Sequence, residues 1–527
     1  MATYLTPGVY VEEVSSGSKP IEGVGTAVAA FVGVTAHAPA DDPHDVTPRL
    51  ITNWSEYTRL YGGFVDGAML PHAVYGYFAN GGGSCYIVRV PAANEAGDAA
   101  GSDDAGTATT ALPAGNRPEL ETLHVHAIGE GGPYDVVVEI PDTDDNKPAT
   151  RFALKVLAGG RETETHENLT FGSGSRNVET VVNRESTTIR VEAPPQQGVA
   201  AAERVPAAGT YRLDPVAPEP SAIAPTDFEG AEEERSGIRG LVIAEDVTMV
   251  AVPDLVTAAT TNGDVDLDRF KAVQTTLIDH CELTGRMAIL DPPPGLRPQQ
   301  VKQWRTETAM YDAKYATLYY PWLEVPNPAP NGNGRTRLRV PPCGHVAGIW
   351  ARNDATRGVW KAPANEVVRG AVNVATAITS GEQEQLNPIG VNCIRAFGTR
   401  GIRVWGARTL SSDPEWRYVN VRRLFNFIEE SILQGTQWIV FEPNDMALWQ
   451  KVKRTINAFL IGLWRQGALL GATPAQAFYV KCDEETNPPE SIDEGKLVVE
   501  IGIAPVKPAE FVIFRISQWQ EGAEAIE

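Results

Sequence analysis

Three short apolar runs, at 247–252, 287–290 and 316–324, alternate with helix-length stretches at 267–283 and 299–312. Strand, helix, strand, helix, strand in that order calls for a parallel sheet with right-handed crossovers, because parallel neighbours need a long connection between them. The run at 287–290 stops at Asp291-Pro292-Pro293-Pro294, where proline removes the ladder donor. The first ninety residues read as the source of further strands. They open with strand-like text, pass short helices near 53–57 and 71–78, and close with Asn80-Gly81-Gly82-Gly83 feeding an apolar run at 84–90. The expected core is 26–92 together with 236–379.

What lies between these halves has a different composition. Residues 91–118 are rich in Ala, Gly and Asp with little to bury, and 193–235 are rich in Ala and Pro and end in Glu232-Glu233-Glu234. Between them, 119–192 alternates apolar and polar with period two, the mark of half-buried antiparallel strands. A compact β unit with low-complexity flanks reads as an insertion, 93–235, in another domain.

From 380 the two periods mix. Asp413 and Pro414 predict a helix start, with Val421, Leu424, Phe425, Ile428 and Ile432 on its apolar face and Gly435 at its end. A strand is expected at 438–441, a helix at 445–466, and strands at 478–482, 497–503 and 511–517. The fold class is therefore mixed α/β. It has a parallel-sheet α/β core, an inserted antiparallel β domain, a C-terminal α+β domain over 380–505, and extended arms at 1–25 and 506–527. No internal repeat is evident.

Composition narrows the function. Forty-five Lys+Arg against 67 Asp+Glu give a net charge of −22. A nucleic-acid coat needs a basic face, so that partner is not expected. Five scattered cysteines form no C-x-x-C pair and, being odd in number, make a poor disulfide framework, which fits a reducing compartment. The N-terminus lacks the basic and apolar segments of a secretory signal, and no run is long enough to span a bilayer, so direct membrane insertion is not expected.

Chemistry is sparse as well. There is no phosphate loop, dinucleotide fingerprint, H-E-x-x-H or G-x-S-x-G. His124 and His126 share a strand face without a third ligand nearby, and Cys343 and His345 sit in a Gly/Pro-shaped loop; a surface strand and a packed loop explain them. No cofactor, metal or catalytic residue is expected. A hydrolase on the parallel-sheet domain stays as an alternative, since doubly wound sheets offer a ligand crevice at their switch point.

Four segments in order carry a resemblance. They are Tyr4-Leu5-Thr6-Pro7-Gly8-Val9-Tyr10-Val11-Glu12-Glu13-Val14 with Pro20-Ile21 and Phe31-Val32-Gly33; Asn80-Gly81-Gly82-Gly83-Ser84-Cys85-Tyr86-Ile87-Val88-Arg89; Val340-Pro341-Pro342-Cys343-Gly344-His345-Val346-Ala347-Gly348 continuing through Asp354 to Asn365; and Leu386-Asn387-Pro388 through Gly401-Ile402-Arg403-Val404-Trp405-Gly406-Ala407-Arg408-Thr409-Leu410. Together they resemble the contractile tail sheath family of phages and phage-tail-like injection systems. Region 91–235 lies outside the resemblance and would be a variable outer decoration.

The resemblance implies a structural subunit, not an enzyme. Such subunits stack as rings in a helical homo-oligomer around an inner tube protein, between a baseplate and terminal cap proteins. The sheath assembles in an extended, metastable form and shortens on a trigger, driving the tube through a target envelope without nucleotide hydrolysis. Assembly in the bacterial cytoplasm and release within the particle follow for this chain. A static shell or tube is the alternative assembly reading. Arms that add strands to neighbouring subunits would link the lattice.

Thr6, Pro7, Gly8, Val9, Tyr10 and Val11 suit an N-terminal arm, the other reading being a frayed terminus. In Phe511, Val512, Ile513, Phe514, Arg515 and Ile516 five of six residues are apolar, so both strand faces need cover. That cover is either the interior of one subunit or a neighbour. Lys451, Arg454 and Arg465 form a basic stripe opposite the apolar face of the 445–466 helix, either solvated or facing an acidic inner tube.

Overall fold

The computed structural model describes residues 20–36, 38–39, 46–65, 67–91, 109–115, 117–127, 134–141, 150–158, 161–172, 174–194, 199–213, 223–261, 264–327 and 336–515. Its largest sheet has nine strands. In spatial order they are Glu366–Val367, Ile402–Val404, Val391–Ala396, Ala316–Tyr320, Met287–Leu290, Met249–Ala251, Ala29–Gly33, Cys85–Arg89 and Arg49–Ile51. The strands from Val391–Ala396 to Cys85–Arg89 run parallel, and antiparallel strands close both edges.

Every residue of Ala29–Gly33 and Met287–Leu290 is buried, as parallel strands covered on both faces require. Alternate residues feed two separate cores. Ala30, Val32, Val250 and Leu318 pack beneath Leu267–Thr284, while Phe31, Ile87, Met249 and Tyr319 pack beneath Leu70–Asn80 and Cys343–Arg357. The last two helices approach closely because Gly344 and Gly348 face the other backbone. A Cβ at Gly344 would meet the Ala73 carbonyl oxygen at 2.2 Å, and one at Gly348 that of Tyr77 at 2.3 Å.

Residues 109–213 contain two antiparallel sheets, with Tyr134–Glu139 central in one and Arg117–Ala127 in the other. Their inward residues, among them Leu123, Val136 and Phe152, form a core of their own with Val182 of the helix Val178–Glu185. At the C-terminal end, Val419–Gly435 and Met446–Arg465 bury Leu424, Ile428, Val452, Ile456 and Leu460 against a hairpin of Phe478–Lys481 and Glu500–Ile503. Asp445 caps the second helix, accepting from the Leu448 amide at 2.8 Å.

Several local expectations change. The helix predicted from Asp413 starts at Val419. Asp413 instead accepts the Glu415 amide in a tight turn, and the backbone at Arg417 and Tyr418 pairs with Thr409 and Arg408 before the helix can begin. The apolar run at 438–441 is not a strand: Gln437–Ile439 forms a 3-10 turn, and Phe441 follows with a positive φ of 67°. The 316–324 strand divides at Pro321, and Leu323–Pro326 joins a small antiparallel sheet. Helix 299–312 is a short α-helix, Pro298–Gln303, continued by the π-helix Trp304–Ala309. Residues 511–515 are not a strand here, and they pair with no strand among the described residues. The nine-stranded sheet also continues beyond 379, where the C-terminal domain was expected to begin, through Val391–Ala396 and Ile402–Val404.

Candidate functional site

The parallel sheet reverses winding between Ala29–Gly33 and Met249–Ala251, so a ligand crevice belongs beyond their C-terminal ends. The chain fills that position itself. Asp254, fully buried, accepts from the Val34 amide at 2.8 Å, from that of Leu70 at 3.1 Å, and from that of Met69. Burial pushes its carboxyl up to about 7 against the pull of these three N–H donors. Amides at the start of the Leu70–Asn80 helix that would cradle a ligand anion thus hold an internal carboxylate. Cys343 and His345 are buried on one helix, and burial raises the thiol and lowers the imidazole to about 4, so neither is poised as a nucleophile or base. The His124 and His126 rings lie 6.5 Å apart, and no cluster of three metal-ligating side chains occurs among the described residues.

The built features lie where the two ends of the chain join the body. Segment 504–510 crosses from the hairpin to the core: Ala504 donates its amide to Ala477, Val506 donates to Ala468, and Asn420 donates its side chain to the Val506 carbonyl at 3.1 Å. Glu510 then ends the tethered part. Arg408 donates to both its carboxylate oxygens, at 2.9 and 2.6 Å, with Asn387 at 2.7 Å and the Tyr418 hydroxyl at 3.1 Å. Beyond this latch Phe511, Val512, Ile513 and Phe514 are exposed, Phe514 at 83%. Ile516 lies outside the described residues.

Burial alone would raise the Glu510 carboxyl. Hydrogen bonds from Arg408, Asn387 and Tyr418 outweigh it and hold the group below the ordinary 4.5. A depressed carboxyl stabilises above its unfolded pKa and loses that contribution as pH falls through the folded value. Hydrogen-exchange protection of 504–510 is therefore expected to hold at pH 6 and fall away below about pH 4.5. Glu510→Gln should show the weaker protection at both; equal protection in the two proteins would remove the latch.

The N-terminal segment Thr6–Val11 lies outside the described residues, but its root is fixed. Ile21 is buried against Gly435, and the Val24 amide donates to Ser431 at 3.2 Å. Thr26 donates its hydroxyl to Asp354 at 2.7 Å, while Arg423 donates to the Thr26 carbonyl at 2.9 Å and pairs with Asp354. The Arg423 guanidinium also stacks 4.7 Å over Trp350. Neither latch was singled out from the sequence, since partners 69 and 102 residues apart leave no local pattern. Their only signal was that Asp354, Asn387 and Arg408 fall inside the resembling segments.

The hairpin near these roots pairs Phe478 with Ile503 and Lys481 with Glu500, and has no third strand among the described residues. On Met446–Arg465, Arg454 and Arg465 are exposed and make no ion pair among the described residues. Lys451 is half-buried with its ammonium 4.1 Å from the Trp438 ring centre, so the stripe is two free charges and one stacked on an aromatic.

Comparison with known families completes the picture. The model described as the phage tail sheath protein central domain matches residues 252–410, and that described as the phage tail sheath C-terminal domain matches 411–518. The chain belongs to the contractile tail sheath family. As a sheath protein it is a structural component of a phage tail or tail-like particle rather than an enzyme. It is 27% identical over 309 residues to a putative prophage major tail sheath protein of Pseudomonas aeruginosa strain UCBPP-PA14, covering 57% of this chain and 75% of that one. With the tail sheath protein of Burkholderia phage BcepMu it shares 23% identity over 530 residues, 97% of this chain and 96% of the other. The helical sheath of the anti-feeding prophage in its contracted state has the same fold, with TM-score 0.56 and 24% identity over 98% of this chain and 100% of that one. No helix among the described residues is long and apolar enough to cross a membrane.

Proposed function

We propose that this subunit polymerises helically around an inner tube, linked to its neighbours by exchanged arms, and that the lattice shortens from an extended state to drive the tube forward. The observation that carries this is the pairing of an exposed apolar segment with a firm root. Phe511–Phe514 would be an aggregation hazard on a monomer, and Glu510 holds its base against the core. Such a segment gains its cover by adding as a strand to a neighbour, for which the two-stranded hairpin at 478–503 supplies free edges. Thr6–Val11 would serve the same purpose from the other end. Rigid bodies joined by strand-paired arms rotate without losing connectivity, which suits a population shift between two lattices.

In this arrangement 26–92 and 236–379 form the α/β core, with the sheet strands up to 404 added to it. The unit at 93–235 decorates the outside, and the C-terminal α+β region faces the tube. The partners are the subunit itself, an inner tube protein, and baseplate and cap proteins at the ends, with assembly in the bacterial cytoplasm and release as part of the particle. Arg454 and Arg465, with Lys451, are proposed as the tube contact. Exposed charges suit it because their attraction is modest and screened by salt, so the surface releases during shortening. Reversing all three to Glu should lower tube-dependent assembly about tenfold at low salt while leaving the melting curve unchanged. Unaltered assembly would return the stripe to solvent.

Electron microscopy of the purified full chain, alone and with its tube protein, tests the whole reading. Hollow striated tubes in two lattices of different pitch are expected. One lattice under every condition would indicate a static shell.

A further inference from the structure

The parallel sheet gives the subunit two poles of opposite character. At the pole where its strands end, Val391–Ala396 turns through Gly398–Arg400 into Ile402–Val404. Residues 385–412 hold four arginines and no carboxylate, in a chain of net charge −22. Arg400 is exposed and stacks over Phe397 at 4.8 Å, Arg395 lies over the same ring at 5.3 Å, and Phe397 packs on Trp405. Neither Arg395 nor Arg400 has a carboxylate partner among the described residues, and Arg395 is held only by the neutral side chains of Gln383 and Ser380. The result is an aromatic plate rimmed by cations.

At the pole where the strands begin lies a groove of about 600 Å³, lined by Glu245, Asp246, Glu429, Glu430 and Leu433, with Arg423, which is paired with Asp354, as the one cation of its lining. Glu245 and Asp246 are exposed and lie two residues before Met249–Ala251, and Gly285 in the same groove lies just before Met287–Leu290. Exposed apolar side chains flank it in sequence: Ile243, Leu433 and Leu283, the last 86% exposed. Only Glu429 of the groove's carboxylates takes part in an ion pair among the described residues, with Arg422. A strand of six residues separates poles by about 20 Å, so the two surfaces cannot meet within one copy.

We infer that the arginine–aromatic turn around Arg400 of one subunit docks into the acidic groove at Glu245 and Asp246 of a second copy, as a head-to-tail contact of the sheath lattice. This rests on the self-assembly proposed above. The occupant is chosen by complementarity on both counts: cations without a carboxylate partner among the described residues meet exposed carboxylates, and an aromatic plate meets exposed leucines. Desolvated arginine and aromatic groups are the side chains that dominate interface energy. Two different patches on opposite poles make a heterologous contact, which repeats from copy to copy and builds rings or helices rather than a closed dimer.

Reciprocal charge reversal in the full-length chain tests it, with polymer measured by sedimentation and folding by circular dichroism. Arg395→Glu with Arg400→Glu, and separately Glu245→Arg with Asp246→Arg, should each reduce sedimenting polymer about tenfold or more at unchanged melting temperature. The four substitutions combined in one chain should restore it. If a reversed chain does not fold, Arg400→Ala and Asp246→Ala replace the pairs and their effects must be non-additive. Wild-type polymer from either reversed chain, or no rescue by the folded combination, overturns the contact while leaving the sheath reading intact. A wild-type chain that forms no polymer, alone or on its tube, overturns self-assembly and this contact with it.

Discussion

Deleting residues 511–527 is expected to leave a folded subunit with an unchanged melting curve and to reduce polymer by a hundredfold or more, to the limit of detection. The first half follows from burial. Phe511, Val512, Ile513 and Phe514 are exposed and make no backbone ladder with the rest of the described chain, so their removal takes away almost nothing from one copy. The second half follows from connectivity. In the proposed linkage, strand addition would draw its affinity from main-chain hydrogen bonds repeated at every junction, and a lattice without the arm would lose them all. Deleting 1–20 should give the same pair of results, because its root at Ile21 to Thr26 stays clamped while the arm is gone. Calorimetry with negative-stain microscopy reads both halves. A truncated chain that melts early shows that the segment belongs to its own subunit's core, and one that forms normal tubes shows that the arm is dispensable.

Asp354→Ala carries the largest expected cost in stability. Asp354 and Arg423 are 5% and 3% exposed at their side chains, and the carboxylate receives both Arg423 and the Thr26 hydroxyl. Removing it strands a buried guanidinium against Trp350, with the aromatic face and the Thr26 carbonyl as its remaining partners among the described residues. Breaking a buried pair from one side typically costs about 3–5 kcal/mol, because the remaining charge loses its compensation. The denaturation midpoint should fall accordingly. The root of the N-terminal arm should loosen with it, seen as faster proteolysis near residues 20–28. Replacing both partners with apolar residues, Asp354→Leu with Arg423→Met, is expected to recover most of the stability. Recovery of stability without recovery of tubes would separate the packing role of the pair from its role in holding the arm.

The two latches and the two arms form one mechanical argument. A lattice that changes pitch while staying connected needs linkers that move and roots that do not. Glu510 fixes one root through Arg408, Asn387 and Tyr418, and Asp354 with Arg423 fixes the other. Asp354 lies on Cys343–Arg357, which packs beneath the nine-stranded sheet, and Arg408 follows its Ile402–Val404 strand, so each root is tied to the body that holds that sheet.

Much of the framework is local, and the sequence carries local information well. Short apolar runs marked Cys85–Arg89 and Met287–Leu290, a helix-length stretch marked Leu267–Thr284 and an apolar helix face marked Met446–Arg465, because burial on one face or both shapes the residues along the chain. The mixed α/β class followed from their order. The family was legible in four dispersed segments, two of which meet in space where Gly348 packs against Asn80 at the end of Leu70–Asn80.

What failed locally failed for a tertiary reason. Asp413-Pro414 has the chemistry of a helix start, yet pairing of Arg417 and Tyr418 with the strand end at Arg408 and Thr409 postponed the helix to Val419. The apolar text at 438–441 and 511–515 looks like strand, but a strand exists only where a partner supplies the other half of its hydrogen bonds, and composition cannot supply one. By itself, then, the sequence determined the element types, the α/β class and the family, because these depend on neighbours along the chain. Only the tertiary structure decided that Glu510 meets Arg408, that Asp254 fills the switch-point crevice, and that the sheet ends in one basic and one acidic pole. Those facts arise from residues up to hundreds of positions apart, brought together by burial of the two cores and not by any spacing the chain displays.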